Sequence, residues 1–133
     1  MPAAEPPEGG PWRRLRSRRF VVVDASMLPT LRPGDRLLVD PVPLRERPPR
    51  IGEIVVLTDP EAPPRRLVKR VAACDDAAAT VTVLGDAAGS SRDSRAFGPV
   101  PRSSLVGVAW FRYLPRERRG PLPRAIGDGA PKP

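Results

Sequence analysis

Proline sets the first limit on what this chain can fold into. Twenty prolines and 11 glycines in 133 residues leave no window of helical apolar spacing long enough for a helix of ordinary length. What survives between the breaks is a series of short apolar, β-branched runs. Residues 20–25 form the first, and it ends before Pro29, which forbids a central strand. Arg32-Pro33-Gly34-Asp35 signals a turn, and residues 36–40 read as the next strand. Residues 54–57, 66–73, 80–84 and 105–113 complete the set, separated by loops at 41–50, 59–65 and 85–98. Within 66–73, alternation places Leu67, Lys69 and Val71 on one face and Val68 and Arg70 on the other. Asp75 and Asp76 mark a turn that pairs this run with 80–84 as a hairpin. The expected class is mostly β, a small coiled or barrel-like sheet.

The length suits one domain. Residues 1–19 and 115–133 hold much of the Pro, Gly and Arg with almost no apolar pattern. Both are expected to be poorly ordered tails, leaving residues 20–114 as the folded domain. The formal charge is +8, and 21 of the 23 basic residues are arginine. The cluster Arg13, Arg14, Arg16, Arg18 and Arg19 reads as a solvated tail. It lacks the interleaved aromatic residues of a stacking platform, so stable nucleic-acid binding is not expected. No stretch reaches the roughly 18–20 apolar residues of a membrane span, and no apolar core of a secretory signal follows the basic N-terminus. The expectation is a cytoplasmic protein without a transmembrane anchor, making at most weak, salt-reversible contact with anionic membranes. The single Cys74 excludes an internal disulfide.

Histidine is absent. A Ser-His-Asp or Cys-His site is therefore impossible, a Cys/His zinc site is excluded, and no metal or cofactor is expected. A general base must be a carboxylate, a lysine or an amine terminus. Lys69 stands mid-strand in a chain that otherwise uses arginine. Arginine cannot lose its proton at working pH, whereas desolvation can bring a lysine amine toward neutrality. Alone, such a lysine is an ordinary residue of a half-exposed strand. Ser26, alone, is an ordinary turn former. It sits where a β-rich run breaks into a proline turn, so its hydroxyl can project from the end of an element.

Four blocks together resemble the signal peptidase I family, in that family's order. They are Ser26-Met27-x-Pro29-Thr30-Leu31, then Gly34-Asp35 with Leu37-Leu38-Val39. Val68-Lys69-Arg70-Val71 follows, and last comes Gly85-Asp86 with Ser91-Arg92-Asp93-Ser94-Arg95 and Gly98. The resemblance spans residues 20–113. It implies an antiparallel sheet of the signal peptidase type and a serine endopeptidase with a Ser/Lys dyad. Ser26 would be the nucleophile, Lys69 the general base, and Ser91 the hydroxyl that orients the lysine. Asp93 and Arg95 would be a structural ion pair near the site, and Gly85 would begin the loop that returns them to it. The Ser26 N–H would be one oxyanion donor. Substrate, a precursor protein, would lie as an added strand beside residues 20–25 and 66–68, touching Phe20, Val22, Val23 and Val68.

The chain departs from the family pattern in places. Asp24 stands where many members have a serine that serves the oxyanion, Ala25 where glycine or proline is common, and Ala87 where asparagine follows the aspartate. The short chain and the ending Trp110-Phe111-Arg112-Tyr113-x-Pro115 are similar to the nickel-type superoxide dismutase maturation peptidases. That resemblance implies removal of an N-terminal extension from the dismutase precursor. Two other readings stay open at this point: a self-cleaving, repressor-type Ser/Lys peptidase, and a non-catalytic basic β-module that binds nucleic acid.

Overall fold

The apolar runs at 36–40, 54–57, 66–73, 80–84 and 105–113 each become a strand, whereas the run expected at 20–25 is strand only through Val21, in a strand that begins at Arg18. The computed structural model describes residues 11–87, 89 and 92–124. Its strands are β1 (Arg18–Val21), β2 (Arg36–Asp40), β3 (Ile54–Thr58), β4 (Arg66–Asp75), β5 (Thr80–Leu84), β6 (Val100–Pro101), β7 (Leu105–Leu114) and β8 (Gly120–Pro121). They pair antiparallel in the order β1-β2-β7-β3-β4-β5-β6, with β8 added to β7. The sheet curls into a half-barrel, which is the mostly β class expected. Three short helices, α1 (Pro11–Arg16), α2 (Pro43–Glu46) and α3 (Ser94–Phe97), occupy segments read as tail or loop. Among the described residues no helix is long and apolar enough to cross a membrane.

The curl buries both faces of its central strands. Val22, Met27, Leu31, Leu37, Ile54 and Val68 share one cluster. Val55, Leu57, Leu67, Val71, Val81 and Val83 share the other. This explains why β3 is a continuous apolar run: strands covered on both sides need no polar alternation. It also confirms the alternation expected in β4, with Val68 in one cluster and Leu67 and Val71 in the other. Each fully buried Val, Leu or Ile contributes about 1.5–3 kcal/mol, so these strands anchor the fold. Gly107 lets β7 approach β2, since a Cβ there would lie 2.8 Å from the Asp40 carbonyl oxygen and 2.8 Å from Val39 Cγ1.

Order begins earlier and ends later than the sequence reading put it. Residues 11–19 are not a solvated tail. Arg13 Nε donates to Asp40 Oδ2 at 2.8 Å and Arg16 Nη2 to the same oxygen at 2.9 Å. Trp110 Nε1 donates to Ser17 Oγ at 2.9 Å, and the Arg13 guanidinium lies 4.8 Å from the Trp110 ring centre. Past residue 114, a 3₁₀ turn at Arg116–Arg118 leads to β8, and Arg112 and Arg118 both pair with the buried Asp35. Buried carboxylates demand charged, hydrogen-bonded partners, and the planar arginine fork supplies them. Composition could not reveal this, because Arg13 and Asp40 are 27 residues apart. The rest of both expected tails, residues 1–10 and 125–133, lies outside the described residues.

Candidate active site

Ser26 sits on a turn that the core fixes from below. Pairing continues past β1, with the Val22 N–H donating to Asp35 O at 2.9 Å and the Gly34 N–H to Val22 O at 2.7 Å. Beyond Val22 the chain bends, and the next buried side chains are Met27 and Leu31. The Leu28 N–H donates to Ala25 O at 3.2 Å and the Leu31 N–H to Met27 O at 2.9 Å, which winds residues 25–31 tightly. Met27 and Leu31 point into the core, and Ser26 is left half-buried at its rim.

Lys69 meets it from β4, on the face it shares with Leu67 and Val71. It is 1% exposed and heads the largest fully buried side chains. Its Nζ lies 2.7 Å from Ser26 Oγ, although the two residues are 43 apart in sequence. Burial pushes the amine below the ordinary lysine pKa. Asp24, Asp93 and Asp59 oppose that shift, Arg92 adds to it, and the net direction is down.

Asp93 closes the third side. It is fully buried and accepts from the Gly85 N–H at 2.8 Å and from Arg95 Nη2 at 2.6 Å. It also caps α3 by accepting the Arg95 N–H at 3.0 Å. Burial alone would raise its pKa, but these hydrogen bonds outweigh it and hold the carboxyl below its ordinary value. Gly85, Asp93 and Arg95 are thus brought together, with the Asp93 charge acting on Lys69. Ser91 lies outside the described residues.

A model of the signal peptidase family, peptidase S26, matches residues 13–75 and 77–114. The chain belongs to that family. The mitochondrial ATP-independent inner membrane protease subunit 1b of Arabidopsis thaliana is 36% identical over 118 residues, covering 73% of this chain and 70% of that protein. The probable signal peptidase I-1 of a Synechocystis strain is 29% identical, covering 78% of this chain and 74% of its own length. The signal peptidase I of Leptolyngbya laminosa is 30% identical, with 73% and 68% covered. The protein is a serine endopeptidase of the signal peptidase I type. This decides against the repressor-type peptidase and the non-catalytic module.

The signal peptidase I resemblance had assigned the Ser26 N–H to an oxyanion. In the structure that N–H donates to Asp24 Oδ1 at 3.1 Å. Burial works against the Asp24 charge, but hydrogen bonds from the Ser26 N–H and hydroxyl, with the charges of Lys69 and Arg65, hold its pKa below the ordinary value.

The residues expected to line a peptide path are placed unequally. Val22 and Val68 are buried in one cluster, with Phe20 packed against it, while Val23 is 69% exposed. Phe20 also lines a depression of about 210 Å³ with Val39, Val56, Arg66 and Val106. Among the described residues β1 is the terminal strand of the sheet, hydrogen-bonded to β2 alone.

Sequence reasoning assigned no role to three residues that support the signal peptidase site. Asp86 accepts from Thr30 Oγ1 at 2.7 Å and from Arg70 Nη2 at 2.7 Å, and the Ala87 N–H donates to Ser26 O at 2.9 Å. The loop after β5 therefore holds the Ser26 turn directly. The signal was present in part, because Thr30, Arg70 and Asp86 each belong to a matching block. Arg92, which pairs with the fully buried Asp59 and with Glu61, lies in the last of those blocks as well.

Proposed function

We propose that Ser26 and Lys69 are the catalytic dyad and that the enzyme removes an N-terminal extension from a precursor protein, nickel-type superoxide dismutase. The observation that carries the dyad is the 2.7 Å contact between the Ser26 hydroxyl oxygen and a buried amine. In its neutral form Lys69 takes the Ser26 proton as Oγ bonds to the scissile carbonyl carbon. The carbonyl π pair moves to oxygen. When the intermediate collapses, the C–N bond breaks and Lys69 returns the proton to the leaving amine. Water then attacks the acyl ester as Lys69 takes its proton, and the C–Oγ bond breaks with that proton returned to Ser26 Oγ.

The extension lies as an added strand along β1, near Phe20, Val22, Val23 and Val68, and the exposed edge of β1 supports that reading. The segment Trp110-Phe111-Arg112-Tyr113-x-Pro115 supports the maturation substrate through its resemblance to those peptidases. The chemistry fits as well, because the metal hook of that dismutase uses an N-terminal amine that exists only after the cut. In this reading the enzyme works in the cytoplasm, Ser91 orients Lys69, and contact with membranes is peripheral. The test is to incubate the protein with the precursor and sequence the product's N-terminus. One cut is expected, absent with Ser26→Ala and blocked by proline in the few residues before the cut site. An uncut precursor beside a folded enzyme overturns the substrate.

A further inference from the structure

We propose that the Asp24 carboxylate occupies the oxyanion site of the resting enzyme, so that the scissile carbonyl must displace it before Ser26 attacks. Acyl transfer moves negative charge onto the carbonyl oxygen, and preorganised N–H donors at the nucleophile stabilise it. The donor that the nucleophile itself supplies is the Ser26 N–H, and it is already engaged by Asp24 Oδ1 at 3.1 Å. A carboxylate oxygen matches an oxyanion in charge and in hydrogen-bond demand, so Asp24 acts as an internal mimic of the transition state. Lys69 Nζ lies 2.7 Å from Oγ of the same serine.

The position allows displacement. Asp24 lies on the bend between Val22, which is buried, and Met27, and its own side chain is half-buried. Among the described residues no arginine bond holds it, unlike the buried Asp40, Asp59, Asp86 and Asp93. Two cations act on it, Lys69 at the site and Arg65 just before β4. When a peptide enters, its carbonyl oxygen replaces Asp24 Oδ1 on the Ser26 N–H, and the carboxylate turns toward Arg65 and solvent. No bond to Asp24 forms or breaks and its charge is unchanged. It is a residue that tunes access to the site, resting on the assignment of Ser26 as nucleophile.

The test uses a peptide aldehyde, acetyl-Ala-Val-alaninal, whose hemiacetal with Ser26 places an oxygen on the same N–H. Asp24→Ala and Asp24→Ser should bind it about tenfold tighter than the wild type, the worth of one charge-assisted hydrogen bond. The pH dependence gives a second readout that a merely structural role would not move. Asp24 raises the Lys69 pKa, as do Asp93 and Asp59, while Arg92 lowers it. Removing Asp24 should therefore shift the midpoint of aldehyde addition to lower pH. Equal or weaker binding by folded variants overturns the proposal. Binding retained by Ser26→Ala would instead overturn the nucleophile assignment, which separates the two failures. If the aldehyde binds no variant, the Ser26 amide resonance decides. It should move as Asp24 titrates in the wild type and stay still in Asp24→Ala, and a wild-type resonance that does not move overturns the proposal.

Discussion

The Thr30 hydroxyl donates to Asp86 Oδ2 at 2.7 Å, tying the turn that carries Ser26 to the loop after β5. The same carboxylate takes Arg70 Nε at 2.8 Å and Nη2 at 2.7 Å. One buried acid thus joins the segments that carry Ser26 and Lys69. Thr30→Val should cost about 1 kcal/mol of stability and lower kcat more than it raises KM, because the turn loosens while the peptide path stays. Asp86→Ala should cost about 3–5 kcal/mol, since it strands the buried Arg70 guanidinium. Chemical denaturation and steady-state kinetics on the two variants check both. Equal losses would mean that Asp86 serves the hydroxyl rather than the guanidinium.

Activity should rise with pH as Lys69 loses its proton, with a midpoint below the ordinary lysine value, because burial lowers that pKa. Lys69→Arg should be as inactive as Lys69→Ala, a loss of at least about a thousandfold, since a guanidinium stays charged. A pH–rate profile for cleavage is the measurement. Appreciable turnover by the arginine variant would remove Lys69 from the general-base role.

The same burial predicts a stability effect with a definite sign. The folded pKa of Lys69 lies below its unfolded value. As pH falls from roughly 10.4 toward the folded pKa, the unfolded chain takes up the proton first and the native state loses ground. Above the unfolded pKa that penalty is absent. Lys69→Met, which keeps the volume without the charge, should be more stable than the wild type at neutral pH, and the gap should close in strong alkali. Paired thermal melts across that range would show it. A gap that does not depend on pH would mean that the amine titrates alike in the folded and unfolded states.

The α1 helix should depend on Asp40. That carboxylate is fully buried between Arg13 and Arg16, whose side chains are mostly buried. It also accepts the Val42 N–H at 3.0 Å. Asp40→Asn should weaken α1 docking by about 1–3 kcal/mol and open Arg13, Arg14 and Arg16 to trypsin. Limited proteolysis followed by mass spectrometry reads this directly. Cleavage at equal rates in the two proteins would show that Trp110 packing alone holds the helix.

Much of the architecture was legible because strand signals are local. The runs at 36–40 and 80–84 became strands with the same limits, and the alternation of Leu67, Val68 and Val71 placed each in its observed cluster. The ends were not legible. Arg13 and Arg16 look like tail residues in sequence, and only their pairing with Asp40 makes them part of the fold. At the site, Lys69 stood out because the chain lacks histidine and almost lacks lysine, and Ser26 only through the blocks that resemble signal peptidase I. Asp24 stood out as a departure, yet its hydrogen bond to the Ser26 N–H could not be read from residue type.

By itself, the sequence determined which chemistries were open. Residue identity decides what can gain or lose a proton, and proline spacing decides how long an element can run. Whether Lys69 is a solvated cation or a buried amine was decided by the tertiary structure. So was whether Asp24 faces water or the Ser26 N–H. Desolvation and hydrogen-bond geometry depend on every strand packed around a group, and the chain brings residues 43 positions apart within 2.7 Å only when the whole sheet has curled.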